Sequence, residues 1–245
     1  MGELTAAVEL YCQPIYSIRS GVDPEVQDYE VLLRKRGGQS FLAAELVELI
    51  ADQERRNQLR AWNLVNLAHF SRVRPRLTID VNLDPWQFKC PEVWDYLQAL
   101  RRVGPKINLE LTERNTGTLT GSAAFSQILA RVQGLGFQVS LDDVGSGYNS
   151  MQVVLENARY LSRIKFSLLL FEERDLRSKL LFAQAWQSLA ASRNLELVIE
   201  GVENRSLARQ LVAAGCNLQQ GFYWGRPFPL MDLLKPEKRQ WHPRD

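Results

Sequence analysis

Carboxylate, amide and ammonium side chains recur at one kind of position in this chain, at or near the carboxyl end of an apolar segment. They are Glu30, Asn82, Glu110, the pair Asp142 and Asp143, Lys165, Glu200 and Gln220. Singly, each has an ordinary explanation, such as a strand-edge charge, a helix cap or an ion pair. Several carboxylates at one low-dielectric site would repel one another unless cations neutralise them. Oxygen-rich sets with an amide suit Mg²⁺ or Mn²⁺, so the pattern indicates metal-assisted phosphoryl chemistry.

Other catalytic classes fit these residues less well. A glycosidase needs only two carboxylates, such as Glu110 and Glu200, and has no need of Asn82, the aspartate pair and Lys165 as well. The chain has only two histidines, which argues against a Ser-His-Asp triad or a polyhistidine metal site. It also lacks a Gly-Lys-Ser/Thr phosphate-binding loop.

Composition narrows the class of protein further. The 245 residues carry a formal net charge of +2, which gives no general attraction to nucleic acid or to a membrane. The three cysteines, Cys12, Cys90 and Cys216, are far apart, which offers no zinc site and fits reduced thiols in a cytoplasm. No segment approaches the ~18–20 apolar residues of a membrane span, and the amino terminus lacks a signal-peptide pattern.

Strand-like segments alternate with helix-like segments along the chain. Eight strand candidates are apolar or alternate apolar with polar residues: "VELYCQPIY", "DYEVLLR", "RLTIDVN", "INLELTE", "FQVSLDD", "SRIKFS", "LELVIEG" and "LQQGFYW". This alternation predicts a single α/β domain, a (β/α)8 barrel over residues 1–235, followed by a polar tail over residues 236–245. In such a barrel the carboxyl ends of the strands meet at one mouth, where active sites are built.

Two of the intervening helices have recognisable faces. "PEVWDYLQALRRV" starts at an N1-like Pro91 and places four apolar residues on one face: Val93, Tyr96, Leu97 and Leu100. "DLRSKLLFAQAWQSLAASRN" has Asp175 as a candidate N-cap and an apolar stripe of Phe182, Trp186, Leu189 and Ala190.

The chain closely resembles the EAL-domain family, the cyclic di-GMP phosphodiesterases, from "YCQPIYSI" to "QQGFYWGRPFP" and in the family's order. The name-giving Glu-Ala-Leu is here Glu30-Val31-Leu32. "DVN", "LELTE", "LDDVGSGYNS", "IEGVE" and "QQGFYWGRP" are similar to the family's other motifs. The resemblance implies a barrel that hydrolyses cyclic di-GMP to pGpG with two Mg²⁺ or Mn²⁺ ions, in a bacterial cytoplasm.

The resemblance also implies a role for each residue. Glu30, Asn82, Glu110 and Asp142 are expected to hold the first metal, and Asp142 to bridge to a second metal with Asp143 beside it. Glu200 is expected to bind or activate the attacking water, and Lys165 to orient it. Glu113 is expected to anchor the loop Gly145–Tyr148, through which a homodimer could form. The expected substrate contacts are Gln13, Leu32, Arg34 and Gln220.

The substrate-facing set has independent support from strand geometry. Glu30, Leu32 and Arg34 lie two residues apart and share one strand face, whereas Val31 points to the other face. Valine in place of alanine is therefore expected to be a packing change only.

One position departs from the family's pattern. The family has Lys-x-Asp where this chain has "KFS", so Ser167 replaces an aspartate that helps to hold the second metal. The expected loss is ~3–5 kcal/mol of transition-state stabilisation, or roughly two to four orders of magnitude in rate. Two features could offset it: a serine hydroxyl can ligate Mg²⁺, and Asp80, where the family usually has a small residue, could supply another carboxylate.

Three functions therefore stay open from the sequence. The first is a cyclic di-GMP phosphodiesterase whose turnover is impaired by Ser167. The second is a receptor that binds cyclic di-GMP without cleaving it, since Gln13, Leu32, Arg34 and the first-metal set are retained. The third is a degenerate EAL module that acts through a protein partner. None of the three calls for a nucleic-acid polymer or a membrane.

Overall fold

The computed structural model describes residues 3–19, 21–104, 106–114, 123–172 and 174–235, so the predicted tail lies outside the described residues. The strands, in chain order, are β1 Val8–Ser17, β2 Glu25–Lys35, β3 Thr78–Leu83, β4 Ile107–Leu111, β5 Val139–Leu141, β6 Arg163–Ser167, β7 Glu196–Glu200, β8 Leu218–Gln219 and β9 Phe228–Pro229. The helices are α1 Glu3–Ala6, α2 Ala43–Ala51, α3 Gln53–Val73, α4 Glu92–Val103, α5 Ala123–Gly134, α6 Met151–Asn157, α7 Leu176–Ser192 and α8 Arg205–Ala213.

Strands β1 to β8 close into a barrel, which confirms the predicted (β/α)8 architecture. Neighbouring strands from β2 to β8 are parallel. β1 differs, because it is antiparallel to both β2 and β8. The connection between β1 and β2 spans only residues 18–24 and holds no helix, so the two strands form a hairpin. β9 pairs antiparallel with β1 at Tyr11 and Cys12, whereas β8 pairs with β1 at Tyr16 and Ser17.

The largest apolar core lies between the barrel and its surrounding helices. The predicted face of α4 is buried as a whole, and Pro91 is the N-cap rather than the first helical residue. On α7, Asp175 caps the helix and accepts a hydrogen bond from the amide of Ser178 at 3.0 Å. The predicted stripe on α7 is partly wrong, because Phe182 is 52% exposed while Ala183 takes the inward position.

α3 is the longest described helix, with 21 residues. Four of its five Glu and Arg residues lie in its first eight positions. No helix in the described ranges has the length and apolarity needed to cross a membrane.

Candidate active site at the carboxyl ends of the strands

The predicted polar residues lie on seven successive strands or directly after them. Glu30, Asn82, Glu110, Lys165 and Glu200 lie on β2, β3, β4, β6 and β7. Asp142 follows β5, and Gln220 follows β8. Because the parallel strands end at one rim of the barrel, all of these side chains face a common mouth.

Lys165 lies at the centre of this group, which we call the mouth cluster: Glu30, Glu110, Asp142, Lys165 and Glu200. The lysine is fully buried. Its Nζ lies 2.6 Å from Oε1 of Glu200, 2.8 Å from Oε1 of Glu110 and 3.2 Å from Oε2 of Glu30. Oδ1 of Asp142 is 3.7 Å away. One ammonium group therefore faces four carboxylates, and the cluster carries a surplus of negative charge.

Burial and the neighbouring charges together shift the pKa values within the cluster. Burial disfavours the charged form of Lys165, but Glu110 and three further carboxylates outweigh it and raise its pKa well above the usual value. Burial raises the pKa of Glu110 and of Asp142 well above the usual range, although Lys165 opposes the shift. Burial also opposes the ionisation of Glu30, but Lys165 and hydrogen bonds from two amides outweigh it and lower the pKa.

Amide side chains hold Glu30 in place. Nδ2 of Asn82 donates to Oε1 of Glu30 at 2.9 Å, and Nε2 of Gln220 donates to Oε2 at 2.8 Å. Gln220 also approaches Oε1 of Gln13 at 3.4 Å, and Gln13 donates to the carbonyl of Gly225 at 3.0 Å. The predicted substrate residues Gln13 and Gln220 are thus joined to the mouth cluster.

Two buried oxygen atoms in the mouth lack a hydrogen-bond partner among the described residues. They are Oε2 of Glu110 and Oε1 of Gln220. Buried acceptors of this kind are costly unless something binds them. The four carboxylates around Lys165, Glu110 among them, and the amide oxygen of Gln220 form a set of oxygen ligands. Such a set fits a hard divalent cation such as Mg²⁺ or Mn²⁺.

A second acidic corner lies beside the mouth cluster. Oxygen atoms of Glu113, Asp142 and Asp143 lie within 4.8 Å of one another. The backbone of Asp143 has a φ of 47°, and its amide donates to Oδ1 of Asp142 at 3.0 Å. Burial, with Glu200 and Glu113 nearby, raises the pKa of Asp143 to about 6. The carboxylates of Asp142, Asp143 and Glu113 therefore form a compact acidic group, and the role of Asp142 and Asp143 in holding a second metal stays a prediction.

The loop after this corner packs against Glu113. Gly147 has a φ of 49°, and a Cβ at this glycine would lie 3.2 Å from Cβ of Glu113, so only glycine fits without a shift. Asn149 holds the loop by two hydrogen bonds. Its side-chain Nδ2 donates to the carbonyl of Asp142 at 2.6 Å, and its backbone carbonyl accepts from the amide of Gly145 at 2.8 Å. Asn149 was not predicted as a site residue from the sequence. The signal for its role was an amide side chain directly after the Gly-Ser-Gly-Tyr turn.

Ser167 ends β6 two residues after Lys165. It is 6% exposed and lies beside Glu200 in the register of the two parallel strands. The neutral hydroxyl therefore stands at the mouth, next to the carboxylate that the resemblance assigns to the attacking water.

Asp80 does not stand in for the missing aspartate. Oδ2 of Asp80 lies 3.0 Å from Nη1 of Arg163, and Oδ1 accepts from Nδ2 of Asn108 at 2.8 Å. Arg163 also forms ion pairs with Asp28 and, at 2.7 Å, with Glu196. We call these five residues the floor cluster. Four of them lie two residues before Glu30, Asn82, Glu110 and Lys165 on their strands, and Glu196 lies four residues before Glu200. They were not predicted as a group from the sequence. Both oxygens of Asp80 are thus already engaged.

The mouth opens into a cavity of about 260 Å³ that is lined by Glu30, Leu32, Arg34, Asn82 and Asp142 among others. Both faces of β2 line the cavity, since Val31 and Leu33 border it as well as Leu32 and Arg34. Val31 is also buried in the apolar core.

The sequence model of the EAL domain matches residues 4–227. The chain belongs to the EAL domain family. Among curated relatives, this EAL domain is 28% identical over 201 residues to the bifunctional diguanylate cyclase/cyclic di-GMP phosphodiesterase MucR of Pseudomonas aeruginosa, covering 79% of this chain and 27% of MucR. It is 28% identical over 182 residues to the cyclic di-GMP phosphodiesterase RocR of the same organism, covering 72% of this chain and 45% of RocR. The chain thus spans less than half of either relative.

Solved structures have the same fold. The complex of the Pseudomonas aeruginosa MucR phosphodiesterase with cyclic di-GMP matches 93% of this EAL domain and 99% of the solved chain, with 28% identity and a TM-score of 0.75. The manganese and cyclic di-GMP complex of Klebsiella pneumoniae BlrP1 matches 91% of this chain and 57% of the solved chain, with 22% identity and a TM-score of 0.74. The second likeness, at this identity, bears on the fold alone.

Proposed function

We propose that this EAL domain, residues 1–235, binds cyclic di-GMP at the barrel mouth with Mg²⁺ or Mn²⁺ and hydrolyses one of its phosphodiester bonds slowly, in a bacterial cytoplasm. The observation that carries the proposal is the convergence of four carboxylates on the buried ammonium group of Lys165. The names of MucR and RocR, both cyclic di-GMP phosphodiesterases, support the choice of substrate.

Within this proposal, Glu30, Asn82, Glu110 and Asp142 would hold a first cation. Asp142 and Asp143 would hold a second, because their oxygen atoms lie in one acidic corner. Bound divalent cations neutralise phosphate charge and lower the pKa of a bound water. Glu113 keeps the adjoining loop Gly145–Tyr148 in place through its contact with Gly147.

Glu200 and Lys165 handle the attacking water in this proposal. Glu200 accepts a hydrogen bond or a proton from the water, and the Lys165 ammonium, 2.6 Å from that carboxylate, orients the water and the phosphate. The substrate contacts are Gln13, Leu32, Arg34 and Gln220, with Arg34 pairing with a phosphate. Arg34 lines the cavity and is half-buried, so it can reach a ligand there.

Ser167 limits the rate in this account. A serine beside Glu200 supplies no negative charge to a second cation, so the water is held less firmly and is less acidic. The corresponding loss is ~3–5 kcal/mol, or roughly two to four orders of magnitude in rate.

The same substitution favours a second candidate function, a receptor that binds cyclic di-GMP without turnover. The residues that would hold the ligand are all at the mouth or lining its cavity. A third role, as a degenerate module that acts through a protein partner or a homodimer at the loop Gly145–Tyr148, requires no ligand.

The deciding experiment uses the purified protein and cyclic di-GMP. Calorimetry in Ca²⁺ measures binding, and chromatography after incubation with Mn²⁺ or Mg²⁺ measures pGpG, with Ser167→Asp and Ser167→Ala compared in parallel. Slow turnover that rises in Ser167→Asp but not in Ser167→Ala supports the proposal. Binding without turnover in the natural chain identifies a receptor, and fast turnover by the natural chain contradicts the role given to Ser167. No binding at all leaves only the partner role.

A further inference from the structure

The cavity extends from the mouth to the inward side of α3. Its lining includes Glu30 and Asp142 at the mouth, and Arg56, Arg60 and Asn63 on α3, the part that we call the outer end. These three residues lie at spacings of four and three on one helix, so their side chains share a face. None of them has a role in the site proposed above.

Arg60 has an unused hydrogen-bond donor in this cavity. The side chain is 8% exposed, and its Nη2 donates to Oε1 of Gln87 at 2.8 Å. Its guanidinium group lies over the ring of Tyr96, 5.7 Å from the centroid. Nη1 is buried and has no hydrogen-bond partner among the described residues, and none of their carboxylates forms an ion pair with Arg60.

Arg56 and Asn63 add two further unpartnered atoms. Nη1 of Arg56 donates to the carbonyl of Ile50 at 2.8 Å, and Nη2 lies 3.1 Å from Oε1 of Glu92. Nδ2 of Asn63 donates to the hydroxyl of Tyr96 at 3.2 Å. Nε of Arg56 and Oδ1 of Asn63 are buried and have no partner within the described part of the chain.

The charges at this end do not balance. Two arginines, each more than nine-tenths buried, have one ion-paired carboxylate between them among the described residues, Glu92, which pairs with Arg56 and is 23% exposed at its side chain. Burial and the neighbouring charge of Arg56 lower the pKa of Arg60, as expected for a cation without a counter-ion. Burying such a cation costs several kcal/mol unless an anion compensates it.

We propose that the outer end of the cavity is a subsite for a phosphate group, bound by Nε of Arg56 and Nη1 of Arg60. Guanidinium groups form strong, charge-assisted hydrogen bonds with phosphate oxygens. Oδ1 of Asn63 accepts from a P–OH group or from a sugar hydroxyl beside the phosphate. The group arrives as inorganic phosphate or as the terminal phosphate of a nucleotide. Its binding at this end requires neither a divalent cation nor turnover at the mouth.

Calorimetric titration of the metal-free protein, in a chelating buffer, tests the subsite with inorganic phosphate, GMP and guanosine as probes. We expect a phosphate-bearing probe to bind and guanosine not to bind at the same concentration. Binding of inorganic phosphate would identify the free anion as sufficient, whereas binding of GMP alone would identify a nucleotide phosphate. Guanosine that binds as well as GMP would overturn the proposal, since the cavity would then recognise the base. Absence of binding by both phosphate probes would overturn it too.

Matched variants assign the binding to this end of the cavity. Arg60→Gln is expected to weaken phosphate or GMP binding by roughly tenfold or more, because it removes a charged donor. Arg131→Gln, at an exposed arginine that stacks on Trp94, is the control and is expected to bind as the natural chain does. Asn63→Asp keeps both arginines and adds an internal counter-ion, so it is expected to fold stably and to lose phosphate binding. Unchanged binding in Arg60→Gln or in Asn63→Asp would overturn the proposal.

Discussion

The mouth cluster and the floor cluster each place one buried cation among carboxylates, four around Lys165 and three around Arg163. In the floor, Arg163 bonds to Asp28, Asp80 and Glu196, and no buried side-chain nitrogen or oxygen of these residues lacks a partner. In the mouth, Lys165 faces four carboxylates, and Oε2 of Glu110 has no partner among the described residues. The carboxylates of the floor cluster are thus satisfied by Arg163 and Asn108. In the account proposed here, those of the mouth cluster need a further cation besides Lys165.

The geometry of the two cations explains the difference. The guanidinium group of Arg163 is a rigid fork with five donors and can satisfy several carboxylates at once. The ammonium group of Lys165 has three donors and acts as a point charge. Two residues along the same strand thus separate a structural ion-pair network from a ligand site.

The largest expected effect on stability comes from Arg163→Met. It leaves Asp28 and Asp80 buried without a cation, so we expect the free energy of unfolding to fall by ~3–5 kcal/mol. Urea unfolding measures this loss. Arg193→Met, at an exposed arginine, is the control, with a change of about 0.5 kcal/mol or less. Equal losses in the two variants would contradict the structural role of the floor cluster.

Lys165→Met, compared with Arg163→Met, should show that Mn²⁺ stabilises the mouth cluster and not the floor cluster. Without metal it leaves Glu30 and Glu110 unpaired, so it should be destabilising. Mn²⁺ should then restore stability, by ~2.7 kcal/mol when its concentration is 100 times the dissociation constant. Thermal unfolding with chelator and with Mn²⁺ measures the gain. At the same Mn²⁺ concentration, Arg163→Met has an intact mouth and should gain what the natural chain gains, whereas Lys165→Met should gain more because the competing ammonium group is gone. Equal gains in the two variants would contradict the assignment of the metal to the mouth.

Asp80→Asn should have an intermediate effect. Arg163 keeps Asp28 and Glu196, and the new amide can still accept from Asn108, so we expect a loss of ~1–2 kcal/mol in the free energy of unfolding. Urea unfolding beside Arg163→Met gives the ranking. A loss as large as that of Arg163→Met would mean that Asp80 alone balances the arginine.

Glu196→Gln should have the smallest effect. The side chain of Glu196 is 49% exposed, so water screens its ion pair with Arg163, and the expected loss is under ~1 kcal/mol. Unfolding at low and high salt measures it, and the natural chain should lose part of the difference as salt rises. A large loss that salt leaves unchanged would place Glu196 among the essential partners of the floor.

Much of the fold follows from the sequence alone. Each of the eight strand candidates overlaps a strand of the barrel, because apolar runs mark the segments that the barrel buries, although only Leu218–Gln219 of the last candidate is strand. The antiparallel direction of β1 was not predicted, although the sequence held a signal for it: only residues 17–27 separate the first two strand candidates, and parallel strands need a longer crossover, usually with a helix. On α7, the small residue Ala183 packs inward in place of Phe182, a choice that depends on the space left by neighbouring elements.

Only part of the site could be predicted, because some of its residues come together through tertiary packing alone. Glu30, Asn82, Glu110, Lys165 and Glu200 could be grouped because strand ends of a barrel converge. Arg163 and Asp28 each looked like an ordinary strand charge, and only the closed barrel brings them together. Arg56 and Arg60 lie in "QERRNQLRAW", a run that reads as a solvated helix surface, so their burial depends on the packing of α3 over the cavity.

Calorimetric titration of the metal-free protein with Mn²⁺ tests the central claim most directly, with Asp142→Asn and Asp80→Asn as matched variants. We predict that the natural chain binds Mn²⁺, that Asp142→Asn weakens binding by roughly tenfold or more, and that Asp80→Asn stays within about twofold of the natural chain. Absence of binding in the natural chain, or an equal loss in both variants, would contradict the division between a metal-binding mouth and a self-sufficient floor.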